Sequence, residues 1–224
     1  MDKVIAIIPA RWGSTRLPGK PIADINGKSM IQWVYEAVEK SNVDKVVVAA
    51  DNALIIETVK GFGGEAILTD IKHQTGTERV LEAYQHYNDK YNYVINVQGD
   101  EPFINKDDIN TLIQVLKNDS TKIATLLGRL TPEQFKDRNT VKALFENERI
   151  LMFTRSPLFY CSLFVRRHIG IYGFRIETSN EIVESLEQIR WGDNGIEFSY
   201  AFASGLYKGI DTPEDLDHVR TYLN

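Results

Sequence analysis

Three cations, Arg11, Arg16 and Lys20, share one loop with Gly13, Ser14, Pro18, Gly19 and Pro21, and no acid falls between Lys3 and Ala23. The loop follows Val4-Ile5-Ala6-Ile7-Ile8, a short apolar run with the composition of a buried parallel strand. A basic, glycine-containing loop after a first buried strand is where an α/β sheet holds a polyanion such as a triphosphate. A solvated surface loop that happens to be basic has the same composition, so the motifs must decide. The Walker A pattern fails here: five residues separate Gly13 from Gly19, and Pro21 follows Lys20. Gly27-Lys28-Ser29 has the right ending, but Ile22 stands where the first glycine is required. The dinucleotide pattern G-x-G-x-x-G is missing as well, which argues against both a P-loop hydrolase and a nicotinamide enzyme.

Two carboxylates come next. Asp100 follows an apolar strand in Gln98-Gly99-Asp100-Glu101-Pro102, and Asp211 precedes a helix start. A hard cation such as magnesium takes one or two carboxylates together with phosphate oxygens. Position alone serves a turn aspartate at Asp100 equally well, and an acid stabilised by the helix dipole at Asp211. His168 opens a strand-like run, where a histidine is commonly a satisfied structural residue. Arg155 precedes Ser156-Pro157 and reads equally as a surface cation. Glu187 and Gln188 fall on the wet face of an expected helix.

The elements that must position these groups alternate in the first half. Strands are expected at Val4–Ile8, Lys45–Ala50, Glu65–Leu68 and Tyr93–Val97, with Pro9 stopping the first ladder because it has no N–H. Helices are expected over Lys28–Lys40, from an Asn52 cap to about Lys60, after His73-Gln74-Thr75-Gly76-Thr77-Glu78-Arg79, and from Asp107 to about Lys117. Such alternation predicts a parallel sheet whose strand C-termini gather Arg11 to Lys20, Asp51, Gly76 to Arg79 and Gln98 to Glu101. The second half changes style. Strands are expected at Ile123–Leu127, Val141–Glu146, Arg149–Thr154, His168–Phe174 and Ile196–Phe202, with a hairpin at Asn147-Glu148. A helix is expected at Ser179–Trp191, and a last one with Thr212 as N-cap, Pro213 at N1 and Asp215 at N3.

Bulk properties narrow the partners. A net charge of −5 argues against general nucleic-acid binding, which draws on excess Lys and Arg. The single cysteine, Cys161, precludes an intramolecular disulfide and a cysteine metal cluster, and fits a reducing cytoplasm. No stretch approaches a membrane span or a signal h-region. At 224 residues the chain suits a single domain, with a nucleotide-binding half over about 1–120 and the remaining elements over about 121–224.

Read together, IIPARWGSTRLPGKPIADINGKSMIQWVYE, HQTGTERV, VINVQGDEPFI, RSP, RHIGIYGFR, SLEQIRW and GIDTPEDLDHVR resemble, in order and over nearly the whole chain, the 3-deoxy-manno-octulosonate cytidylyltransferases (CMP-Kdo synthetases). These couple CTP to an eight-carbon keto sugar acid for lipopolysaccharide. The resemblance implies a three-layer α/β/α Rossmann-like nucleotidyltransferase fold, a mostly parallel mixed sheet and a second-half β arm for dimerisation. It implies that Arg11, Ser14, Arg16 and Lys20 hold the triphosphate of CTP, and that Ala10, Gly76, Arg79 and Gln98 border the nucleotide. Lys20, Asp100 and Asp211 become the catalytic set, with Asp100 and Asp211 as Mg2+ ligands. Gln98, Arg155, His168, Tyr172, Glu187 and Gln188 become the sugar-acid pocket, where the Arg155 guanidinium suits the substrate carboxylate. A homodimer is expected. The chain departs from that family in two compressed segments: Ile176–Ser185 alone separates Arg175 from Leu186, and Leu158-Phe159-Tyr160-Cys161 replaces a proline-containing motif. Both border the sugar side, so an amino-Kdo, a nonulosonic acid or a non-catalytic nucleotide sensor stand as alternatives.

Overall fold

The first apolar run becomes the middle of a sheet. In the computed structural model, which describes residues 2–87, 90–118, 120–147, 149–157, 164–176, 198–205, 207 and 209–222, β1 (Val4–Ala10) is buried along its whole length. It pairs in parallel with β4 (Lys45–Ala50) on one side and β6 (Tyr93–Asn96) on the other. β5 (Ala66–Leu68) extends the parallel set beyond β4. Successive side chains of a strand point to opposite faces, and β1 uses both. Val4, Ala6, Ile8 and Ala10 pack with α1 (Met30–Glu39), α2 (Ala53–Gly61) and α4 (Lys106–Leu116). Ile5 and Ile7 pack on the opposite face with Val80, Ala83 and Tyr84 of α3 (Gly76–Gln85). Three layers result.

Pro9 does not end the ladder, contrary to the expectation from its missing N–H. Pairing with β4 continues through Pro9 and Ala10. The Ile7 carbonyl accepts from Val97 N–H, so the odd positions of β1 bond toward β6. Pro9 is the next such position, past the last residue of β6, where no donor is required. The helix expected from Lys28 starts at Met30, because Lys28–Ser29 (β3) first pairs with Asp24–Ile25 (β2) around Asn26 and Gly27, both with positive φ. Ser29 then caps α1 and Asn52 caps α2 through their side-chain oxygens. A short helix, α5 (Pro132–Lys136), and a single 3-10 turn, Lys20–Ile22, were not expected.

The parallel order holds through β6 and then reverses. β10 (Val165–Arg175), which begins three residues before His168, runs antiparallel between β6 and β7 (Ile123–Gly128). β7 continues through β11 (Phe198–Phe202) and β9 (Arg149–Thr154) to β8 (Lys142–Glu146), and β8 pairs back onto β10. Those five strands therefore close a ring, which leaves none of them a long free edge. Phe145, Ile150 and Leu127, with Phe153, Phe198 and Tyr200, pack together among them. The β8–β9 hairpin turns at Asn147, whose φ of 47° suits a two-residue loop. α6 (Pro213–Tyr222) opens with the expected capping box: Thr212 Oγ1 accepts from Asp215 N–H, and the Asp215 carboxylate accepts from Thr212 N–H. Among the described residues no helix is long and apolar enough to cross a membrane. The helix expected at Ser179–Trp191, with Glu187 and Gln188, and the first residues of the last expected strand lie outside the described residues.

Candidate active site

The basic loop is rooted before it is charged. Asp51, at the C-terminal end of β4, accepts a 2.8 Å hydrogen bond from Trp12 N–H. Its other oxygen pairs with Arg79 at 3.2 Å, and Arg79 also donates to Thr69 Oγ1 at 2.6 Å. Both members of the pair are nearly sealed, with side chains 3% and 7% exposed. The Arg79 guanidinium thus lines the site while being committed to holding the loop root. Gly19 sits under the Trp12 ring with φ +66°, and a Cβ there would be 3.3 Å from the indole. The glycine answers both the left-handed backbone and the close ring.

Lys20 follows at the start of the 3-10 turn and meets both predicted carboxylates. Its Nζ lies 2.6 Å from Asp100 Oδ2 and 3.2 Å from Asp211 Oδ1, while Arg16 reaches Asp211 Oδ2 at 3.2 Å. The two acids come together from ends of the chain more than a hundred residues apart, joined where Ile210 N–H donates to the Asp100 carbonyl at 3.0 Å. A further acid, not singled out from the sequence, holds that approach. Asp108, buried on the first turn of α4, accepts from Ser204 N–H at 2.8 Å, Ser204 Oγ at 2.9 Å, Gly205 N–H at 3.3 Å and the Tyr207 hydroxyl. It ties the segment leading to Asp211 onto α4. In sequence Asp108 reads as an ordinary first-turn acid, and nothing there signals its partners.

Around Lys20 opens a cavity of about 260 Å³. Of the nominated residues, Ala10, Arg11, Lys20, Gly76, Arg79, Gln98, Asp100 and Asp211 line it. Ser14 lies in the loop above, its Oγ accepting from Leu17 N–H, and Arg16 borders the cavity through Asp211. His73, Gln74 and Thr75 also line it. Thr75 was legible as the start of a capping box with Glu78, which the structure forms at the N-terminus of α3. Gly76 and Gly99 allow close approach: a Cβ at Gly76 would be 3.1 Å from the Pro9 ring, and one at Gly99 would be 3.0 Å from the Pro9 carbonyl. Gln98 donates through Nε2 to Asn96 Oδ1 at 3.4 Å. Among the described residues, Asn96 Nδ2 and Glu101 Oε2 are buried without a hydrogen-bond partner. Burial, then the neighbouring Asp100 charge, push the Glu101 carboxyl up to about 7.

Of the remaining nominated residues, His168 and Tyr172 sit on β10, and Arg155 follows the end of β9. Tyr172 pairs with Asn96, and Gly170 lies against Gln98. The His168 ring packs between Phe153 at 4.7 Å and Tyr172 at 5.2 Å. Burial, reinforced by the Arg167 and Arg155 charges, holds His168 down at about 3 and therefore neutral. Burial pushes the Tyr172 hydroxyl up to about 12. Arg155 donates to the Asn139 carbonyl at 2.7 Å. Nothing is described for Glu187 and Gln188. The cavity at Lys20 is charged; His168, Tyr172 and Arg155 do not line it, and Gln98, which does, borders β10 at Gly170.

Asp100 and Asp211 also meet the requirements of a divalent ion. Their oxygens already converge on a single cation, the Lys20 ammonium. Hard, all-oxygen donors of this kind fit Mg2+, which takes one or two carboxylates and completes its shell with phosphate oxygens and water.

Comparison with known proteins identifies the family. A family model described as cytidylyltransferase matches residues 5–220. The chain is 41% identical to the 3-deoxy-manno-octulosonate cytidylyltransferase of Thermodesulfovibrio yellowstonii, covering 98% of each. It is 37% identical to the enzyme of the same name from Escherichia coli, covering 100% of this chain and 97% of that one. The former alignment spans 249 positions against 224 residues, so this chain is the shorter within the matched span. A solved CMP:2-keto-3-deoxy-manno-octonic acid synthetase complexed with CTP superposes with a TM-score of 0.87 at 36% identity, covering 99% of this chain and 98% of that one. A 4-diphosphocytidyl-2C-methyl-D-erythritol synthase from Anaerococcus prevotii shares the fold at 15% identity with a TM-score of 0.68. The chain belongs to the cytidylyltransferase family.

Proposed function

We propose that this protein transfers CMP from CTP to the anomeric hydroxyl of 3-deoxy-manno-octulosonate, releasing pyrophosphate, in the cytoplasm and as a homodimer serving lipopolysaccharide synthesis. One observation carries the proposal: the Lys20 ammonium stands between Asp100 and Asp211 beside a cavity bordered by Arg11, Gly76 and Gln98. Full-length relatives named for this reaction support it. We assign the nucleotide-binding half to about 1–120 and the acceptor and dimer elements to about 121–224 of a single domain.

In the proposed reaction the anomeric oxygen forms a bond to the α-phosphorus as the bond from that phosphorus to the bridging oxygen breaks. Pyrophosphate takes the electron pair, and the hydroxyl proton passes to solvent. Phosphoryl transfer needs little from a protein beyond positioning and charge. Arg11, Ser14 and Arg16 hold the β- and γ-phosphates, and Lys20 stabilises the charge that builds on the departing pyrophosphate. Ala10, Gly76, Arg79 and Gln98 border the nucleotide. Arg155 receives the acceptor's carboxylate, with Gln98, His168, Tyr172, Glu187 and Gln188 around its hydroxyls. Mg2+, when bound by Asp100 and Asp211, neutralises the triphosphate and makes the attacking hydroxyl more acidic.

The test is pyrophosphate release with CTP and Mg2+ across a panel of acids: 3-deoxy-manno-octulosonate, its 8-amino analogue and a nonulosonic acid, with UTP and TTP as controls. Release with CTP and the first acid is expected. CTP binding in a calorimeter with no release from any acid would leave a nucleotide sensor. Release with only another acid would move the acceptor, through the compressed segments beside β10.

A further inference from the structure

β10 does not pass β7 as a regular strand. Ile169 faces Leu126, yet Tyr172 faces Thr125, so Gly170 and Ile171 are extra residues in a bulge. The Thr125 side chain, wholly buried, fills it. Its Oγ1 lies 2.7 Å from the Ile171 carbonyl oxygen, 3.2 Å from that of Ile169 and 3.1 Å from His168 Nε2. Residues four apart on an extended strand stand about 13 Å from each other. Here the rings of His168 and Tyr172 lie 5.2 Å apart. The hydroxyl therefore holds together the fold in the strand that makes the two rings neighbours.

The same hydroxyl decides which nitrogen of His168 carries the proton. A threonine hydroxyl has one proton and two lone pairs. Carbonyls only accept, so the proton goes to the nearer one, Ile171. Oγ1 is then an acceptor toward His168, which must be protonated at Nε2. A neutral imidazole with its proton there has a lone pair at Nδ1, and Nδ1 has no hydrogen-bond partner among the described residues. A neutral acceptor in a buried aromatic wall suits a hydroxyl donor and repels a carboxylate.

We propose that Thr125 is a positioning residue for the acceptor wall assigned above: it fixes His168 as the Nε2–H tautomer, so that Nδ1 accepts a hydrogen bond from a hydroxyl of the sugar acid. The test uses the full chain with Thr125→Val and Thr125→Ser. Kinetics are read separately against acceptor and CTP, and imidazole nitrogen shifts are read on protein labelled with nitrogen-15 at histidine. The wild type should show a protonated Nε2 and a bare Nδ1. T125V should raise the acceptor KM by about 10- to 100-fold, the range for losing one well-placed hydrogen bond. CTP KM should stay within about twofold, and T125S, which keeps the hydroxyl, should restore the acceptor KM. A proton found on Nδ1, equal rises in both KM values, or T125S behaving as T125V would overturn the assignment. The nitrogen shifts need no acceptor. If no acid on the panel is turned over, the proposed reaction fails, while the tautomer is still decided by the spectrum.

Discussion

The two regions that the proposed function assigns to triphosphate and acceptor are held in opposite ways. At the phosphate end the contacts are ion pairs, and the outermost is wet: Arg16 and Asp211 side chains are 63% and 45% exposed. Exposed pairs of this kind contribute about 0.2–1 kcal/mol each, so an incoming polyanion can replace them at small cost. At the β10 end the contacts are neutral hydrogen bonds around the buried Thr125 hydroxyl. Leaving one of those unmade costs about 1–3 kcal/mol. The difference separates two kinds of recognition. On the proposed assignment, charge is met by groups that can exchange partners, and hydroxyl pattern by groups that cannot.

The largest expected effect tests the charged end. Asp100→Ala should lower pyrophosphate release by about a thousandfold or more, on the scale of removing a group that stabilises transition-state charge. Its circular dichroism and Tm should stay near wild type, since Asp100 contacts Lys20 rather than the core. Near-normal turnover of this variant at saturating Mg2+ would remove Asp100 from the catalytic set. Asp108→Ala comes next and acts through the scaffold. It strips the acceptor from Ser204, Gly205 and Tyr207. Denaturant unfolding should show a loss of about 3 kcal/mol, with turnover down about tenfold as the approach to Asp211 loosens. Unchanged stability would mean those donors find other partners.

The neutral end predicts a pH dependence. His168 is held at about 3 in the folded chain against an ordinary 6.5. Between those values the unfolded chain takes up a proton that the folded chain refuses, so stability falls as pH falls through that window and is unaffected above it. Unfolding at pH 7.5 and at pH 5 should show about 2 kcal/mol more acid loss in the wild type than in His168→Asn. Equal slopes would place a charged, solvated ring at His168.

The parts of this molecule written in local sequence were legible. The apolar runs of β1, β4 and β6 and the caps at Asn52 and Thr212 are decided by neighbours a few residues away, and the structure forms them. The approach of Lys20 to Asp100 followed from the rule that loops gather at strand C-termini, whereas Asp211 was reached only through the family resemblance. What was not legible depends on distant partners. Pro9 was misjudged because the end of β6, not Pro9 itself, determines whether a donor is needed there. Asp51 was placed at the sheet edge without its role, and Asp108 and Thr125 were not singled out, because each looks like a common turn, first-turn or strand residue until its partner, 28, 96 or 43 positions away, is in place. The ring of β10, β7, β11, β9 and β8 was hidden for the same reason. Each strand was foreseen, but closure depends on β8 returning to β10.

Arg16 gives the smallest effect on stability and the sharpest test of the contrast. Its side chain is 63% exposed and pairs with Asp211. Removing it in Arg16→Ala should change unfolding free energy by less than about 0.5 kcal/mol. The same change should raise the CTP KM several-fold and make that KM less sensitive to salt, because one cation fewer meets the triphosphate and ionic screening acts on exposed charges first. The acceptor KM should be untouched, since the ion-pair partner of Arg16 is Asp211 rather than a residue of β10. A salt response in the acceptor KM, or a stability loss near that of Asp108→Ala, would mean that the two ends are one coupled network rather than an exchangeable and a fixed half.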